Sequence, residues 1–122
     1  MQIMRNFRKL NVWKKTMDIA SDAYRAVKYL PEEEKFGLRS QITRAAISIP
    51  SNIAEGCSRQ SRKMYVHFLE ISLGSSFEME TQLLIASEMR VIPDSLQTKM
   101  QDDLCDFQRM MNKLISMVSV DN

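Results

Sequence analysis

The chain has 122 residues, 44% of them hydrophobic, with only three glycines and three prolines. That length suits one domain around a single core, and so little turn chemistry argues against an all-β fold. Net charge is only +2, from 17 Lys/Arg against 15 Asp/Glu, so this is not a basic protein overall, and no apolar run approaches the roughly 18–20 residues that cross a bilayer.

The opening stretch, Met1 to Leu10, lacks the apolar segment of a signal peptide, so the expectation is a cytoplasmic protein. Cys57 and Cys105 are then expected as reduced thiols. Charge is unevenly spread. Residues 1–30 carry seven Lys/Arg and two acids, residues 58–64 three Lys/Arg and no acid, and residues 65–122 four Lys/Arg and nine acids.

The first helix is predicted over about 11–29. Leu10, Trp13, Met17, Ala20, Tyr24 and Val27 recur at alternating spacings of 3 and 4, a seam suited to helix-on-helix packing. Val12, Ile19, Ala23 and Leu30 widen it, and Pro31 ends it, because a residue before proline avoids the α region. Glu32, Glu33 and Glu34 then complement the positive end of a second helix, predicted over about 34–56 on Leu38, Ile42, Ala45, Ile49 and Ile53. Pro50 within it predicts a bend without a break, and Gly56 a C-terminal stop.

Ser58 or Ser61 is positioned to cap a third helix over about 61–90. Tyr65, Leu69, Met79, Leu83 and Ala86 form its main stripe, with Phe68, Ile71, Phe77 and Leu84 beside it. Its centre, Ser72 to Ser76, has poor helix propensity and invites a close neighbour, for which Trp13 is the candidate. Asp94 and Gln97 fit a capping box for a fourth helix over about 94–118, carrying Leu96, Met100, Leu104, Phe107, Met111, Leu114 and Val118. Four helices on short connections predict an all-α, antiparallel up-down-up-down bundle filling residues 1–122 as one domain.

Few residues offer chemistry. His67 is the only histidine, so a paired-histidine metal site within one bundle is ruled out, and beside Glu70 it reads as a partly exposed side chain. No phosphate-binding glycine loop is present. Cys57, with Arg59 close behind, is a candidate reactive thiol, but without an identifiable base the structural reading is preferred. Cys105 beside Leu104 reads as packing. No catalytic residue, metal or cofactor is therefore expected.

Met17, Met79, Met100 and Met111 fall on core seams. Met4, Met64, Met110 and Met117 do not, and with the over-wide apolar surfaces they point to subunit contacts. Ser48, Asn52 and Glu55 share one face of the second helix. They read first as a polar seam that sets helix register, with Glu55 facing Arg62 or Lys63 and Asn52 facing residues 65–66; a ligand or nucleic-acid contact is the alternative.

At this segment the chain resembles a known family. Leu10-Asn11-Val12-Trp13, Gly37 to Ile42, Arg44-Ala45-Ala46, Ser48 to Gly56, Ser61-Arg62-Lys63, Phe68-Leu69 and Glu80 to Leu83 are similar to the bacterial four-helix-bundle proteins found in intervening sequences of large-subunit ribosomal RNA genes. The resemblance implies a homopentameric barrel and a relationship to the accessory protein of diversity-generating retroelements, which binds nucleic acid and a reverse transcriptase. It implies no catalytic residues. Where relatives can be more basic, residues 57–60 carry a single arginine, Arg59.

The expected function is that of a non-enzymatic oligomeric binding protein taking RNA or DNA with little sequence preference through Lys14, Lys15, Arg39, Arg44, Arg59, Arg62 and Lys63. The alternative is a protein–protein adaptor for a nucleic-acid enzyme such as a reverse transcriptase.

Overall fold

The computed structural model describes residues 5–120. Four long helices carry the fold: α1 (Asn11–Ala26), α2 (Leu38–Cys57), α3 (Arg62–Ser87) and α4 (Asp94–Val120), with no strand among the described residues. Short 3-10 turns at Phe7–Lys9, Val27–Tyr29 and Glu32–Glu34 fill the connections. Each helix packs against its two neighbours in the order α1, α2, α3, α4 and back to α1, so α1 and α3 stand diagonally.

Cross-helix contacts fix the directions. Ser48 meets Ser75 while Gly56 meets Tyr65 and Phe68, so α2 and α3 run antiparallel. Lys15 meets Asp103 while Lys99 meets Asp22, so α1 and α4 do too. Gln97 reaches Leu83 and Gln108 reaches Ser76, which sets α3 against α4 in the same way.

The buried seam of α1 follows the residues expected to widen the main stripe, and of that stripe itself only Val27 is fully inside. Val12, Thr16, Ile19, Ala23, Ala26 and Leu30 fill the core, whereas Met17 and Tyr24 are nearly half exposed and Trp13 lies at the margin against Phe7. Two apolar stripes overlap on this helix, and the one with small side chains won. Alanines let α1 approach its neighbours closely, and the Thr16 hydroxyl is satisfied by donating to the Trp13 carbonyl at 2.6 Å, so it is buried without an unpaired polar group.

α2 begins at Leu38, four residues later than expected, because Glu32–Glu34 form a separate 3-10 turn; the Glu34 Oε1 accepts from the Leu38 N–H at 3.1 Å. The helix runs unbroken through Pro50. Gly56 does not stop it. Gly56 lies inside the last turn, buried, where a Cβ would come within 3.0 Å of the Phe68 Cβ and 3.2 Å of the Tyr65 carbonyl; glycine is there to let α3 in.

In α3 the expected stripe is buried, and Ser61 caps the helix by accepting from the Met64 N–H at 3.0 Å. The small-residue centre is met by α2 and not by Trp13: the Ser72 hydroxyl donates to the Ile49 carbonyl at 2.7 Å, and Ser75 pairs with Ser48 at 2.8 Å. α3 ends at Ser87, short of the expected Arg90, and Arg90 takes the left-handed conformation (φ 56°) common where helices terminate.

The expected capping box is absent. The Gln97 side chain crosses to α3 instead, donating to the Leu83 carbonyl at 2.9 Å. Met100, Leu104, Phe107 and Met111 are fully buried, as their spacing predicts, while Cys105 is exposed and not part of the packing. Met79 completes the buried methionines; Met64 and Met117 lie on the surface, and Met4 falls outside the described residues.

Candidate nucleic-acid interface

The start of α1, the α2–α3 turn and the end of α4 meet at one end of the bundle. Arg5 ties them together: its Nη1 donates to the Arg59 carbonyl at 2.8 Å, and its guanidinium lies over the Tyr65 ring, 4.1 Å from the centroid. Arg59 packs over Phe68 at 4.9 Å and pairs with Glu55 at 3.1 Å. Arg62 and Lys63 are exposed in the first turn of α3, and among the described residues neither makes an ion pair.

Two surface grooves open here. One, of about 500 Å³, is lined by Arg62, Lys63, Val66, His67, Glu70 and Ser119. The other, of about 300 Å³, is lined by Arg5, Arg62, Tyr65, Leu114, Met117 and Val118. Arg62 is common to both. The exposed N–H groups of a helix start add a favourable field for anions.

The remaining expected cations lie elsewhere. Lys15 is held on α4 by Asp103 at 3.0 Å and Asp106 at 3.8 Å. Arg39 sits at the opposite end of α2, about 30 Å away by helical rise, donating to the Leu30 carbonyl at 2.6 Å and lying 3.5 Å from Glu32. Arg44 is exposed in the first half of α2, and Lys14 is exposed near the start of α1. So Arg59, Arg62 and Lys63 come together, and Lys15 and Arg39 serve the bundle. Arg5, His67 and Ser119 were not anticipated; Arg5 is 54 residues from the carbonyl it reaches, and no local pattern announces that contact.

The polar face of α2 divides. Ser48 joins the contact with α3 through Ser75, and Asn52 donates to the Ser48 carbonyl at 2.9 Å and hydroxyl at 3.0 Å. Its side chain thus bonds within α2 instead of reaching residues 65–66. Glu55 is exposed and pairs with Arg59, four residues further along the chain, instead of Arg62 or Lys63, because the turn brings Arg59 back over α2.

Nothing here activates a nucleophile. Burial pushes the Cys57 thiol up, against the opposing influence of a hydrogen bond with Tyr65 and the charge of Arg5. Burial, then Cys57, pushes Tyr65 up to about 12. Among the described residues no group of three or more His, Cys, Asp or Glu is placed to hold a metal, and no helix is long and apolar enough to cross a membrane.

Fold and surface together define an antiparallel four-helix bundle with a basic end. The chain belongs to the 23S rRNA-intervening sequence protein family, whose profile matches residues 8–113. Among solved structures it is similar to a protein of unknown function from the S23 ribosomal protein family of Bacteroides thetaiotaomicron: TM-score 0.78 and 26% identity, covering 85% of this chain and 97% of that one. No match was found among curated proteins.

Proposed function

We propose that the protein is a non-enzymatic, oligomeric binding protein that engages nucleic acid, RNA or DNA, at the basic end of the bundle. One observation carries the reading: among the described residues Arg62 and Lys63 project without ion-pair partners beside two grooves, with Arg5 and Arg59 alongside. Backbone phosphate contacts of this kind carry affinity without sequence preference. A net charge of +2 and the acids Glu55 and Glu70 keep one copy weak. Self-association, five-fold as the family resemblance implies, repeats the patch and multiplies modest contacts.

Fluorescence anisotropy with short structured RNA and with duplex DNA, at two salt concentrations, tests this. Affinity should be about micromolar or weaker near physiological salt and fall steeply as salt rises. Arg62→Glu combined with Lys63→Glu should weaken it several-fold, whereas Lys35→Glu, exposed at the opposite end of the bundle, should change it little. Absence of binding to either nucleic acid at low salt would overturn the reading and leave the adaptor for a nucleic-acid enzyme in its place.

A further inference from the structure

α3 carries apolar side chains beyond its core-facing side. Its inner face fills the core, yet Ile71, Phe77, Leu84 and Ile85 are 38–55% exposed on its outer face. Exposed apolar surface of this kind marks a contact, and among the described residues the only helices packed against α3 are α2 and α4. At the centre of that outer face stands Gly74, exposed, where an added Cβ would meet nothing within 4 Å. Glycine disfavours a helix interior. Gly56 has an internal reason, the close approach of α3; for Gly74 none of the described residues supplies one. It leaves a notch in an apolar surface.

The charges around the notch have one sign. Between Lys63 and Arg90 the chain carries Glu70, Glu78, Glu80 and Glu88 and no Lys or Arg. A second apolar face lies diagonally across the bundle. Lys15 and Asp22 mark the α4 side of α1, and the 3.6-residue period turns Trp13, Met17 and Tyr24 to the α2 side. By the same period Ile47 lies on the α1 side of α2, since Ser48 marks the α3 side. Met17, Tyr24 and Ile47 are 45–54% exposed. The exposed charges nearest them in α1 and α2 include Lys14, Lys28 and Arg44.

We infer that the Gly74 face of α3 docks on the Met17–Tyr24–Ile47 face of a second copy, apolar ridge into notch and acidic rim against basic rim. This assigns the surfaces of the self-association proposed above and rests on it. Pairing α3 with α3 would set glutamates against glutamates, which opposes association. Two different faces on opposite sides of one chain make a heterologous contact, which propagates into a ring when the rotation closes.

Light scattering coupled to size exclusion tests this on the full chain at micromolar concentration. Gly74→Gln fills the notch and Met17→Glu charges the opposite face; each should run as a monomer with wild-type helical circular dichroism. Mixed in equal amounts, each variant retains the face the other lacks, so the mixture should show the mass of two chains and nothing larger. If Gly74→Gln loses helical signal, the exposed Glu78→Lys, which should weaken assembly, takes its place. A monomeric wild type would overturn the self-association reading and this assignment together. A wild type that assembles, with Gly74→Gln assembling equally or the mixture staying monomeric, would overturn the assignment alone.

Discussion

Replacing Gly56 by alanine sets two physical effects against each other. Alanine favours a helix interior over glycine by about 1 kcal/mol, so in isolation the change would stabilise α2. At this site the new Cβ lies 3.0 Å from the Phe68 Cβ, 3.2 Å from the Tyr65 Cδ1 and 3.2 Å from the Tyr65 carbonyl oxygen. Ordinary carbon contacts fall at about 3.5–4.0 Å, and two of these three atoms are held by the α3 backbone, so neither can rotate away. Relief requires the helices to separate where they pack through Ser48, Ser72 and Ser75. Overpacking of this kind costs about 1–3 kcal/mol. The net expectation is a loss of about 1 kcal/mol, which for a domain of this size lowers the melting temperature by about 4 °C. Urea unfolding followed by circular dichroism, on wild type and Gly56→Ala at matched chain concentration, reads it directly. A variant equal to or more stable than wild type would refute the claim that Gly56 serves close approach.

Burial raises the Asp103 carboxyl, but hydrogen bonds and charge from Lys99 and Lys15 outweigh it and hold the group below 3.8. A depressed acid contributes stability above its unfolded value and loses it as pH falls through the folded one; Asp103→Asn should therefore be less stable than wild type at pH 7, with the gap in urea midpoint closing as pH drops below 3.8. Cys57 is buried and Cys105 exposed, so a thiol reagent should titrate one cysteine quickly in the native protein and the second only after denaturation; two fast thiols would contradict the packing of Cys57. Ser72→Ala should cost about 1 kcal/mol by deleting the buried hydroxyl bond to Ile49, read by the same urea assay.

Periodicity made helix count, order and three of the four core stripes legible. It misread α1 because the helix carries two stripes, and counting large apolar residues favours Trp13, Met17 and Tyr24 over Ala23, Ala26 and Thr16. Closeness of approach decided the matter, and that depends on what faces the helix. Gly56 and Gln97 were misread for a related reason. A glycine near a helix end looks like a cap, and a glutamine three residues after an aspartate looks like a capping box, until a neighbouring helix lays a backbone against the one and a carbonyl before the other.

Charge was least legible, because an ion pair between helices leaves no local trace. Lys15 and Asp103 are 88 residues apart, and Lys99 and Asp22 are 77 apart, so the basic first helix and the acidic fourth helix cancel across their shared interface. Arg25 joins the same group through Asp22, and Arg109 pairs with Asp106 along α4. The network draws on both halves: it takes Lys15 and Arg25 from the seven cations of residues 1–30 and sets the Lys99 ammonium against Asp22. Among the described residues the exposed Lys14, Lys28 and Arg44 stay outside that network along the side of the bundle, and a denser group stays outside it at the α2–α3 turn. There Arg59 is offset by Glu55, while Arg62 and Lys63 remain without an ion pair among the described residues. The proposed binding end is thus set apart by clustering, Arg59, Arg62 and Lys63 within five residues, and breaking the Lys15–Asp103 contact would add charge to the α1–α4 face without adding any to that end.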